Sequence, residues 1–134
     1  MFPHAQKYNL RLIAIHQREY LGSSPFTEDE LALLYSDDPE DQATILREQA
    51  HAIAKVMAHV IAQGNLPLPR QSDGAHEGGI VILGRSAGCA HVLALLGNLD
   101  SLDKSMYSLL EKYVTTIIIH GAYISARCPG NEGS

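Results

Sequence analysis

The sequence has only two cysteines, no long apolar run and no stretch rich in positive charge, and each lack removes a class of protein. Cys89 and Cys128 supply neither a disulfide framework nor the spacing of a metal site. Cys89 falls inside an apolar helical pattern, where it reads as a small buried hydrophobe. No apolar segment approaches the roughly 20 residues that a membrane-spanning helix needs. The first residues, Met1-Phe2-Pro3-His4-Ala5-Gln6-Lys7-Tyr8, lack the apolar core and cleavage site of a secretory signal. The expected location is therefore cytoplasmic and reducing. Lys and Arg are scattered through a chain of net charge −5, which argues against nucleic acid and against an anionic membrane as partner. No metal or cofactor is expected.

What remains is the balance of a globular domain. Hydrophobic residues make up 46% of 134 positions and charged residues 19%, enough to build one core and too little charge for disorder. A single domain over residues 1–134 is expected. Leu10-Arg11-Leu12-Ile13-Ala14-Ile15 is a nearly continuous apolar run and reads as a strand buried on both faces. Thr27 and Glu30 have capping-box spacing for a short helix over 28–35, with Phe26 and Leu31 as its staple. Asp38, Pro39, Glu40 and Asp41 then start a long helix sharply. Leu46, Ala50, Ile53, Met57 and Val60 form its apolar stripe, and Gly64 closes it. Residues 66–79, with their Pro and Gly, read as a surface loop.

A second buried strand, Ile80-Val81-Ile82-Leu83, runs directly into Gly84-Arg85-Ser86-Ala87-Gly88. An apolar helix over 87–96 follows, stopping at Gly97-Asn98. A further helix over 101–112 presents Leu102, Met106, Leu109 and Tyr113, and Val114 to His120 makes a third, β-branched strand. The tail from Gly121 reads as loop. Strands alternating with helices imply a mostly parallel three-stranded sheet with flanking helices, an α/β fold.

The Gly84-Arg85-Ser86-Ala87-Gly88 turn carries the chemistry. A serine hydroxyl is a weak nucleophile and must be presented bare to a base and a carbonyl. The G-x-S-x-G turn does so by placing Ser86 on a strained strand-to-helix corner. Gly84 and Gly88 are expected to spare collisions with the packed strand and helix. Ala87 then offers its backbone N–H to a developing oxyanion at a helix N-terminus.

These features resemble the α/β-hydrolase family, and the likeness extends beyond the elbow. Residues Ile13 to Ser24 look like that family's fourth strand and the loop after it, with Arg18, Tyr20, Gly22 and Ser23 matching an Arg–aromatic–Gly–Ser pattern. The following elements resemble helix B, the fifth strand, helix C and the sixth strand in turn. The resemblance implies a partial α/β-hydrolase fold acting on a small-molecule ester or amide, with Ser86 as nucleophile.

Several parts of such an enzyme have no counterpart. The family's first three strands and its second oxyanion donor precede the region matching Leu10, and its acid and histidine follow later strands. Asp73, Glu77, Asp100 and Asp103 precede their strands and so belong to the far edge of the sheet, Glu132 sits in the tail, and Glu19 occupies no catalytic place in the family. His91 lies about 7.5 Å further along its helix than Ser86 and faces away. His51 and His59 read as packing or surface residues, and His76 lies at the far edge. His120, ending the third strand, is the remaining candidate base. The expectation is of a truncated and inactive hydrolase, with exposed strand edges that favour self-association. The alternatives are a non-catalytic interaction protein that keeps the elbow as a tight turn, or a small Ser86–His120 dyad enzyme.

Overall fold

The computed structural model describes residues 3–72 and 75–121. Asp73 and the tail that holds Cys128 and Glu132 lie outside the described residues. The chain begins with α1 (Pro3–Lys7), which ends in a left-handed Asn9. There the Leu10 N–H reaches the Ala5 carbonyl at 2.8 Å and the Asn9 N–H reaches Gln6 at 3.2 Å, a Schellman closure.

Helix α2 (Glu28–Leu34) starts on the expected capping box, with Glu30 N–H donating to Thr27 Oγ1 at 3.2 Å and Thr27 N–H to Glu30 Oε2 at 2.7 Å. Helix α3 (Pro39–Gly64) starts as expected on Asp38, whose carboxylate accepts the Glu40 N–H at 2.9 Å. Its end differs from expectation by one position. Gly64 is the last helical residue, and Asn65 adopts the left-handed conformation at φ 49°. The buried stripe of α3 is Ile45, Ala50, Ala54, Met57 and Ile61. Ala50 and Met57 were expected there, whereas Leu46 is 45% exposed and Ile53 and Val60 are half-buried. The helix carries apolar residues on two adjoining stripes, and the direction of approach of α4 decides which is inside.

The segment over 66–79 is not all loop. β1 (Arg70–Ser72) and β2 (Ala75–Glu77) pair antiparallel, and their outer ends are tied by an Arg70–Glu77 ion pair at 2.6 Å. Gly78 and Gly79, at φ 74° and 76°, then turn the chain into β3 (Ile80–Arg85). Helix α4 (Gly88–Gly97), a 3-10 turn (Leu99–Ser101) and α5 (Lys104–Tyr113) lead to β4 (Val114–His120), which pairs parallel with β3. Asp103 caps α5 by accepting the Ser105 and Met106 N–H groups at 3.0 and 2.9 Å. The expected core residue Leu109 is half-buried, and Leu110 takes the inner place at 4% exposure.

The main sheet thus has two strands rather than three. Leu10 to Ile15 forms no strand, and Leu10, Leu12, Ile13 and Ile15 are 52–59% exposed. A strand exists only where a neighbour accepts and donates its backbone hydrogen bonds. β3 takes β4 on one side, and no described strand pairs with its other edge. Helices cover one face of this small sheet. Ile80, Ile82 and Val114 pack there against Ala54, Met57, Leu95, Leu102 and Leu110. On the other face Val81, Leu83 and Ile118 stay 56%, 61% and 44% exposed, so β3 is buried on one face and not on both.

Helix α4 meets β3 at very short range. A Cβ added at Gly84 would lie 2.9 Å from Val92 Cγ2 and 3.1 Å from the Cys89 Cα and the Gly88 carbonyl. At Gly88 an added Cβ would meet only the Gln17 amide at 3.7 Å, an ordinary contact, so Gly88 is not sterically required. Gly84→Ala is expected to destabilise the protein by roughly 1–3 kcal/mol, the cost of overpacking a backbone contact. Gly88→Ala should be close to neutral. Urea unfolding of the two variants checks this, and equal losses would remove the steric account.

Candidate functional site

Ser86 sits at the corner between β3 and α4, exposed, with φ 52°. That left-handed conformation is uncommon for a residue with a side chain. Two backbone bonds hold it. The Ser86 N–H donates to the His120 carbonyl at 3.1 Å, and the Ser86 carbonyl accepts from Cys89 N–H at 3.0 Å. Cys89 is buried, as expected, and its thiol donates to the same His120 carbonyl at 3.5 Å. The corner therefore hangs on the C-terminal end of β4. Ala87 precedes the first turn of α4, and among the described residues its N–H has no backbone acceptor.

An open cleft of about 420 Å³ lies over this corner. Arg85, Ser86, Ala87 and Gly88 form one wall, and Ile15, His16, Gln17, Tyr20 and Leu21 form the other. The second wall lies at the end of β3 even though that segment joins no ladder. His16 had not been singled out from sequence. The signal was available, because it directly follows the apolar run whose end was assigned to the same edge as Ser86. A second hollow of about 130 Å³, between α4, α5 and the sheet, is apolar except for Tyr107 and Glu111 and contains no nucleophile.

The second wall is shaped by Arg18. Its guanidinium pairs with Glu30, at 2.8 Å for Nη2–Oε2, and also donates to the Pro25 carbonyl. It lies 4.3 Å from the centre of the Phe26 ring, and its Nε is buried without an acceptor. The Arg18 hydrogen bond, then the Thr27 backbone bond, hold the Glu30 carboxyl down to about 2. Glu19 lies left-handed at φ 69° and turns its carboxylate to the Phe26 N–H. The loop is thus tied to the start of α2.

The candidate acids and bases are placed as follows. Glu19, Glu77 and Asp103 are engaged with Phe26, Arg70 and the α5 cap, and none lines the cleft. Asp100 is exposed on the 3-10 turn. His51 Nε2 lies 3.0 Å from Ser101 Oγ, whose proton goes to the Asn98 carbonyl at 2.7 Å. The His51 ring is therefore the donor there, and it fastens α3 to the 3-10 turn. His59 is exposed on α3. His91 does not line the cleft, but its Nδ1 lies 3.5 Å from the Gln17 amide, which does. His120 is exposed at the end of β4 in register with Arg85. Its carbonyl supports Ser86, while its ring forms no hydrogen bond to Ser86 Oγ.

No group of His, Cys, Asp and Glu among the described residues has metal-binding geometry, and no described helix is long and apolar enough to cross a membrane. A scan against protein-family models, and searches of curated proteins and of solved structures, find no match to this chain.

Two outcomes follow from the local physics. Ser86→Gly should be more stable than Ser86→Ala by about 1 kcal/mol, because only glycine adopts the left-handed corner without strain. Parallel thermal unfolding of the two variants tests this, and equal melting temperatures would mean that the corner is unstrained. The Glu30 carboxyl sits near 2 in the fold against an ordinary 4.5. Its link to Arg18 is therefore complete above pH 4.5 and is lost as the pH falls towards 2. Amide exchange in residues 17–27 should quicken over that range, and Glu30→Gln should quicken it at neutral pH. Unchanged exchange in Glu30→Gln would show that the loop is held otherwise.

Proposed function

We propose that this chain carries the nucleophile elbow of a serine hydrolase of the α/β-hydrolase kind, with an ester or amide as the substrate class. The observation that carries the reading is Ser86 at φ 52° on a β3–α4 corner, opening into a cleft of about 420 Å³. A left-handed serine between a strand and a helix is the arrangement that bares a hydroxyl to a carbonyl. In this reading Ser86 Oγ adds to the acyl carbon, and the Ala87 N–H faces the oxyanion that develops. The ester C–O or amide C–N bond then breaks, and water later releases the acyl group.

No carboxylate–imidazole pair is assembled on Ser86 among the described residues, so slow turnover is expected. His16, which lines the cleft, and His120, whose carbonyl braces the corner, are the imidazoles at this edge. A second reading is favoured by the open face of the sheet. Val81, Leu83 and Ile118 are exposed side by side, which suits a non-catalytic interaction protein that keeps the elbow as a turn.

Intact-mass measurement after treatment with a neutral alkyl fluorophosphonate separates the two readings. The hydrolase reading expects one adduct that disappears in Ser86→Ala, with His16→Ala slowing its formation more than His120→Ala does. A folded chain, checked by circular dichroism, that forms no adduct would leave the interaction reading.

A further inference from the structure

We propose that the cleft beside Ser86 selects small acyl groups that end in a carboxylate, held by Arg85. The covalent part of this proposal rests on the reading of Ser86 as nucleophile. Arg85 immediately precedes Ser86 and lines the cleft. It is exposed and, like Arg11 and Arg47 and unlike the paired Arg18 and Arg70, forms no hydrogen bond or ion pair among the described residues. Among the described residues no acidic side chain lines the cleft, and Glu19, which falls between the lining residues Gln17 and Tyr20, gives its carboxylate to the Phe26 N–H. Among the described residues the site therefore has a cationic side chain and no counter-ion. A guanidinium presents a planar fork that matches a carboxylate in two parallel bonds.

The rest of the cleft limits what can carry that charge. Ile15, Leu21 and the Tyr20 ring offer apolar contact, and about 420 Å³ is near the low end of ligand pockets. Arg85, the one guanidinium in the lining among the described residues, suits a single negative charge. A phosphate dianion would need further donors of positive charge that the lining lacks. A half-ester of a short dicarboxylic acid fits both requirements: its ester carbonyl lies at Ser86 and its free carboxylate at Arg85.

The test compares two fluorophosphonates of equal chain length, one neutral and one ending in a carboxylate. Labelling forms the Ser86 Oγ–P bond as the P–F bond breaks, with fluoride released and the serine proton lost to solvent. The carboxylate probe should label the wild-type chain about tenfold faster, the worth of one charge-assisted hydrogen bond at a partly open site. Arg85→Gln should bring the ratio to about one. The ratio of the two probes within each protein cancels any general effect of the substitution on Ser86. A ratio that is the same in both proteins would overturn the proposal while leaving Ser86 as the nucleophile.

A second measurement covers the case in which neither probe reacts. Titration of Ser86→Ala with monomethyl succinate and with dimethyl succinate, followed at the Gln17 and Gly88 amides by NMR, reads binding alone. Tighter binding of the monoester, lost on adding Arg85→Gln, would support the anion site even if the nucleophile reading fails. Equal binding of the two esters would overturn it.

Discussion

The contact between β3 and α4 at Gly84 is the constraint on which the rest of the structure turns. With Val92 Cγ2 only 2.9 Å from where a Cβ would stand, the helix lies directly against the strand that feeds it. The chain has two residues, Ser86 and Ala87, in which to reverse from β3 into α4. So short a reversal forces a left-handed residue, and Ser86 takes that place. The same closeness buries Cys89 and Leu95 and lets α4 cover the inner face of the sheet. The strain at Ser86 is balanced by bonds from β4, because the His120 carbonyl receives both the Ser86 N–H and the Cys89 thiol.

The opposite wall of the cleft is held by a different kind of force. Residues 15–21 have no place in the sheet and little apolar burial. They are positioned from outside, by Arg18 reaching across to Glu30 and Pro25 and by Glu19 reaching Phe26. The capping box of α2 shares the Glu30 carboxylate with Arg18, so one side chain both starts a helix and fixes a loop. A packed corner and a polar loop thus face each other across Ser86. The first is set by volume and the second by charge.

Two open surfaces remain, and they bear on the two functional readings differently. The cleft is lined by Ser86, Arg85 and His16 together, which is a chemical arrangement. The outer face of the sheet offers Val81, Leu83 and Ile118, which is only an apolar area. Apolar area is non-directional and identifies no partner, whereas the cleft has polar groups with definite valence.

Local chemistry was legible from sequence wherever neighbours along the chain decide it. The Thr27–Glu30 box, the Asp38 cap, the parallel strands at Ile80 and Val114 and the corner at Ser86 all appear where the residues placed them. The α/β-hydrolase likeness itself remains an expectation that these local features support. What failed depended on partners distant in sequence. Leu10 to Ile15 has the composition of a strand, but composition cannot provide the neighbouring edge that a strand needs. The side of α3 that is buried, the short β1–β2 pair and the arrival of His16 beside Ser86 were likewise settled by how elements meet. The sequence determined the turns, caps and the strained serine, because those are short-range steric and hydrogen-bonding facts. Tertiary structure alone decided which strands pair and which side chains share the cleft, because those contacts depend on packing between segments that the chain order does not specify.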